Sequence, residues 1–335
     1  MSRLARLNID PYILCILGMV GAASILPVHG IGATVAGHVT TAAIALLFFL
    51  HGARLAPRAA LAGARHWRLH AVVLLATFVL FPLLGLAARA LWPSLLPPQL
   101  WTGLILLCVL PSTVQSSIAF TSIAGGNVPA ALCAATASNL LGMALTPLLA
   151  GFLLSAQGGF SLHGAGAIVL QLLVPFAAGQ AARPLLGDWA ARNRKLLSLV
   201  DRGSILLVVY VAFSEGVTQG IWQQLDLASL GTLLAIDAAL LGAVLGLTTL
   251  ASRVLRFERA DEITIVFCGS KKSLASGLPM ASVLVAGPSV GLIVLPLMLF
   301  HQIQLMACAA LARRYAAAAR RSAPGYANPY SRAAV

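Results

Sequence analysis

Charge is what this chain has least of. Only 9% of its 335 residues are charged, against about 25% in an average soluble domain, and 59% are hydrophobic. A soluble protein of that composition could not cover its own surface, whereas in a bilayer lipid is the solvent for the outer face. Acids are scarcest: 9 Asp and Glu stand against 22 Lys and Arg, for a net charge of +13. The basic residues fall between apolar runs instead of forming one interleaved basic and aromatic face, which excludes nucleic acid as the partner. Cys15, Cys108, Cys133, Cys268 and Cys308 each sit inside an apolar run with no CxxC, so they read as small buried side chains. His66 and His70 are four apart with no glutamate between them, too little for a zinc site. No GxSxG, HExxH, Walker loop or GxGxxG is present, so the chain does not read as an enzyme. It also lacks a short selectivity-filter loop of the kind channels use.

What is there is apolar segments, with 30 glycines and 17 prolines, residues more frequent in membrane helices than in soluble ones. Ten segments can be read, at 10–28, 33–53, 70–92, 100–124, 127–154, 163–183, 200–220, 227–251, 261–286 and 288–312. The first follows Arg3 and Arg6 but is longer than most signal-peptide cores, and we read it as a retained helix. The stretch 316–335, rich in Ala, Arg, Pro and Tyr, reads as a disordered cytoplasmic tail.

The basic residues orient the segments. With the N-terminus inside and each segment crossing once, every Lys and Arg but Arg89, Lys271 and Lys272 falls on the cytoplasmic side. That pattern fits ten crossings of the inner (plasma) membrane with both termini cytoplasmic, and deleting any crossing would invert all later loops. Five segments per half predicts two inverted repeats, 1–155 and 160–315, a recurrent transporter architecture.

Segments 4 and 9 hold equivalent places in the two halves, and both are polar. The first carries Pro111, Ser112, Thr113, Gln115, Ser116 and Ser117; the second carries Gly269, Ser270, Lys271, Lys272, Ser273, Ser276 and Pro279. Proline and glycine free backbone groups that a bilayer cannot satisfy. Two broken helices meeting near the midplane, with a solute or ion site between them, is the predicted arrangement. A lysine at that depth is a functional candidate by default, and Asp237, mid-span in segment 8, is the likelier acid to pair with one. Thr136, Ser138 and Asn139 in segment 5 could supply ligand oxygens or join helices. Gly242 and Gly246 form a GxxxG, read as helix packing.

Several ordered motifs carry a resemblance: F48-F-L-H-G-A-R-L55, W67-R-L-H70, T77-F-V-L-F-P-L-L-G85, L110-P-S-T-V-Q-S-S117, G126-N-V128, A137-S-N-L-L-G142 and F267-C-G-S-K-K-S-L-A-S-G-L-P279. The chain resembles the bile acid:sodium symporter superfamily, and within it the orphan branch shared by bacteria and eukaryotes. The resemblance implies an all-α fold of ten transmembrane helices, with helices 4 and 9 broken and crossing. It also implies a core of helices 3–5 and 8–10 beside a panel of helices 1, 2, 6 and 7. The sodium ligands of coupled members align here with Ser116 and Ser117, with Thr136 and Ser138, and with Thr77. Their helix 9 glutamate and glutamine fall at Phe267 and Lys271. A missing carboxylate and an added cation argue against Na+ as the coupling ion.

The expectation is therefore a secondary transporter of a small organic anion, with Lys271 or Lys272 replacing sodium or carrying a proton. Its alternative is a non-transporting membrane regulator or scaffold, marked by a closed crossing with each lysine tied to an acid and no cavity. The sequence leaves the solute and the oligomeric state, a homodimer included, open.

Overall fold

A computed structural model describes residues 11–54, 66–155, 162–218, 220, 226–284 and 290–322. Among these residues the fold is entirely helical. The helices are α1 (Pro11–Ile25), α2 (Ile31–Arg54), α3 (Trp67–Leu91), α4 (Pro98–Val109), α5 (Val114–Ala124), α6 (Val128–Ser155), α7 (Leu162–Arg192), α8 (Arg194–Thr218), α9 (Leu227–Val254), α10 (Arg259–Gly269), α11 (Leu274–Leu284) and α12 (Val290–Ser322). Helix is the expected answer for such a composition, because a helix satisfies its backbone polar groups within one segment and lipid offers no substitute for water.

Six of the described helices are long and apolar enough to cross a membrane, and a seventh span forms if α4 and α5, bent by 62°, count as one. The α10–α11 pair carries Arg259, Asp261, Glu262, Lys271 and Lys272, which takes it out of that set. Large apolar side chains such as Val79, Leu83, Leu141, Leu148, Phe152 and Leu250 are exposed, as lipid-facing positions should be. The chain is a multi-pass membrane protein.

Two boundaries move. Helices α7 and α8 run through the basic stretch at Arg183, Arg192 and Arg202, so their junction is a turn at Asn193. Helix α12 continues to Ser322, seven residues into the stretch read as disordered, because Ala316–Ala319 are good helix formers. The rest of that tail lies outside the described residues.

The chain divides into two compact units. One comprises Met1–Leu55, His163–Asp226 and Leu278–Val294. In it α8 packs on both α1 and α2. Gly52 on α2 and Gly179 on α7 face each other's helices. A Cβ on Gly52 would run into the Phe176 carbonyl, and one on Gly179 into the Phe49 carbonyl. Glycine at both is what lets the backbones approach. Arg54, at the C-terminal end of α2, makes a two-pronged ion pair to Asp201, at 2.6 and 3.0 Å.

The other unit comprises Ala56–Leu162, Leu227–Gly277 and Leu295–Val335. Helix α10 is its axis, packed against α3, α5, α6 and α9, with every residue from Glu262 to Gly269 buried. Leu69, Val73, Ala130, Ala131, Ala134, Ile265 and Cys268 form one apolar cluster around it. Asn127 locks its N-terminal end: its side chain donates to Asp261 at 2.9 Å and accepts from Ala130 N–H at 3.1 Å. Glu262 is held there by Arg259 at 2.5 Å and Arg253 at 3.5 Å. On α9, by contrast, a Cβ on Gly242 or Gly246 would meet nothing within 4 Å. The GxxxG is not a helix-packing notch among the described residues.

Candidate functional site

Both polar segments break in the second unit. Helix α4 ends at Val109, Leu110 is extended, and α5 starts at Val114 with Thr113 still extended. Helix α10 ends at Gly269 and α11 begins at Leu274. The first break is forced by Pro111, which has no N–H and disfavours helix at the residue before it. Gly142 of α6 makes room for it; a Cβ there would come within 2.6 Å of the Pro111 ring.

A broken helix in a membrane must find partners for the backbone groups it frees. Here the two breaks largely supply each other. Ser112 Oγ donates to the Cys268 carbonyl at 2.6 Å, Ser117 Oγ to that of Phe267 at 3.3 Å, and Thr113 Oγ1 to that of Lys272 at 2.8 Å. In return the Ser273 N–H donates to the Pro111 carbonyl at 2.9 Å. Helix α6 completes the set. Ser138 Oγ accepts the Ser112 N–H at 3.0 Å, Asn139 donates to the Ser112 carbonyl at 2.6 Å, and Thr146 donates to that of Val109 at 2.8 Å. Asn139 Oδ1 also accepts from Ser276 at 3.0 Å. Gln304 of α12 reads Lys272 like a second backbone strand, accepting its N–H at 2.9 Å and donating to its carbonyl at 2.8 Å.

The two adjacent lysines are both fully buried and both pack on a phenylalanine ring, but they differ in their hydrogen bonds. Lys272 Nζ donates to three carbonyls, Thr77 at 2.8 Å, Cys108 at 2.7 Å and Leu110 at 2.8 Å, and lies 4.1 Å from the Phe81 ring centroid. Lys271 Nζ has no hydrogen-bond partner and lies 3.8 Å from the Phe120 ring centroid. Phe120 belongs to an apolar cluster with Ala124, Ile263, Phe267, Cys308 and Tyr315. The hydroxyls of Ser116, Thr121 and Ser270 are likewise buried and without partners; Ser116 is one turn from Phe120, on the same face of α5.

The candidate residues thus fall into groups. Ser117, Ser138, Asn139, Lys272 and Ser273 join the hydrogen-bonded crossing. Ser116, Ser270 and Lys271 are buried and unpartnered. Thr77 contributes its carbonyl, while its hydroxyl bonds back to Val73 of its own helix at 2.8 Å. Three candidates stand outside these groups, and the pairing expected of Asp237 is corrected. Gln115 is exposed and Thr136 is half-buried, and neither makes any of these hydrogen bonds. Asp237 is fully buried but pairs with neither lysine, and neither of its carboxylate oxygens has a hydrogen-bond partner. Lys272 is satisfied by carbonyls, so no acid is needed there. Gln304 and Thr146 were missed as site residues. A glutamine inside the apolar run of segment 10 was the available signal, since a polar residue at that depth needs a reason.

Residues 10–317 match the profile of the SBF-like CPA transporter family. The chain is 55% identical over 309 residues to "Uncharacterized protein PA2026" of Pseudomonas aeruginosa, covering 92% of this chain and 93% of that one. It is 52% identical over 308 residues to "Putative symporter YfeH" of Escherichia coli (strain K12), again covering 92% and 93%. It is 29% identical over 320 residues to "Sodium/bile acid cotransporter 7" of Xenopus tropicalis, covering 91% of each.

Proposed function

From its membership of the SBF-like CPA transporter family, to which this chain belongs, we propose that it is a secondary transporter of a small organic anion. The proposal includes ten crossings, with α4–α5 and α10–α11 each a single broken pass. It places α1–α6 and α7–α12 as inverted repeats and both termini in the cytoplasm, as the basic residues argue. Transport proceeds by alternating access, for which the division into two compact units is support.

The observation that carries the anion is Lys271. A buried ammonium packed on an aromatic ring with no hydrogen-bond partner lacks the hydrogen bonds and the ionised partner that its desolvation calls for. A carboxylate or sulfonate would supply both, and the unpartnered hydroxyl of Ser116, on the Phe120 face of α5, would donate to the same group. The names of two relatives, a symporter and a sodium/bile acid cotransporter, support a solute carrier and make a bile acid a sensible first probe. The scaffold reading called for a closed crossing with each lysine tied to an acid and no cavity; the lysines are buried, but neither is tied to an acid.

The test is uptake into proteoliposomes of a labelled bile acid and a panel of small carboxylates and sulfonates. Accumulation of at least one of them, lost in Lys271→Ala while the variant stays folded, is expected. No uptake of any anion above empty liposomes would contradict the proposal.

A further inference from the structure

The three carbonyls around Lys272 share a history. In a regular helix the Thr77 carbonyl would accept from the Phe81 N–H, but that N–H donates to Ala76. The next candidate, five residues on, is Pro82, which has no N–H. The π-helical turn at Ala76–Leu80 therefore leaves the Thr77 carbonyl with no backbone donor. The Cys108 carbonyl would accept from Ser112, whose N–H goes to Ser138 instead. The Leu110 carbonyl leaves the helix altogether, because its residue is extended in front of Pro111. Two prolines on two helices thus orphan three carbonyls within reach of one point, and the Phe81 ring supplies a fourth wall.

A ring of carbonyls beside an aromatic face is a cation site. Three acceptors call for three N–H donors, and only the ammonium form of lysine has three. We propose that this cage is a monovalent-cation site whose resident ion is the chain's own Lys272 ammonium, tethered permanently by its side chain. Removing the amine vacates the site for a free monovalent cation, a short primary alkylammonium above all. The proposal concerns what holds the crossing together and stands apart from the solute carried.

The experiment is thermal unfolding of the purified full chain in detergent, wild type beside Lys272→Ala, in choline, sodium, potassium and ethylammonium chloride at equal ionic strength. Choline, whose quaternary nitrogen has no N–H to give the three carbonyls, sets the baseline. Wild type is expected to show one Tm in all four salts. Lys272→Ala is expected to lose on the order of 5–10 °C in choline and to recover at least half of it, saturably, in ethylammonium, with smaller recovery in sodium or potassium. Lys272→Gln, which offers two donors to three carbonyls, is read the same way with a smaller loss, and it decides the matter if the alanine variant does not fold. A variant Tm that is the same in all four salts overturns the proposal, as does a wild-type Tm that rises with the small cations as the variant's does.

Discussion

The two faces of the second break hold the same side chain in opposite circumstances. On one, Lys272 gives each of its N–H groups to a backbone carbonyl; on the other, Lys271 gives none to anything. Both are buried equally, so depth does not separate them. The difference is whether the surrounding backbone was left unsatisfied. Where prolines freed carbonyls, the lysine is part of the structure. Where the neighbours are Phe120 and Phe267, it is a charge waiting for a partner. One lysine therefore reads as stability and the other as function.

Neutralising Lys272 is the hardest test of that contrast. Lys272→Met fills the space without the donors, leaving three buried carbonyls unpaired at about 1–3 kcal/mol each. A loss of at least ~3 kcal/mol is expected, visible as a lower Tm or as a collapse in folded yield. Lys272→Met as stable as wild type would erase the distinction. Gln304→Leu comes next. It strips the Lys272 N–H of its acceptor while Thr113 still serves the carbonyl, so about 1–3 kcal/mol should go, measured by thermal unfolding. Lys271→Met is expected to hold or raise Tm, since it removes an uncompensated buried charge, while abolishing anion uptake. A loss matching that of Lys272→Met would show that the two faces are alike. The smallest effect belongs to Gln115→Ala, an exposed position, with a change within about 0.5 kcal/mol and unaltered uptake.

These contrasts also mark what the sequence could reveal. The helices were legible because their apolar runs are long, and both breaks were legible because Pro111 and the Gly269–Ser273 stretch interrupt those runs. The lysines stood out because an apolar segment has no other use for them. Which backbone atoms they meet was not legible. The cage is made of carbonyls, and a carbonyl carries no residue identity, so Thr77, marked only by its alignment with a sodium ligand of the resembling family, contributes its backbone while its hydroxyl turns back on its own helix. Pro82 was in plain view, but its effect depends on a π turn that shifts the donor of Phe81 by one residue. Asp237 was expected at a lysine on charge alone; helix rotation decides that, and periodicity in a helix apolar on all sides does not fix rotation.

In unit one the same logic gives a plainer result. Arg54 and Asp201 meet at a half-buried end with two good hydrogen bonds, and Gly52 and Gly179 fit helix to helix. Among the described residues, the buried groups without a hydrogen-bond partner include Lys271, Asp237 and the hydroxyls of Ser116, Thr121 and Ser270 in the unit that holds the breaks, and the Ser214 hydroxyl and Arg54 Nε in the first unit.

The central claim is that the crossing brings its own cation and leaves Lys271 for the anion. Its most direct test is uptake, by reconstituted wild-type protein, of whichever probe anion it accumulates, with sodium replaced by choline on both sides of the membrane. Uptake at an undiminished rate is the expected result. Uptake that falls to the level of empty liposomes without sodium, and returns when sodium does, would contradict the account.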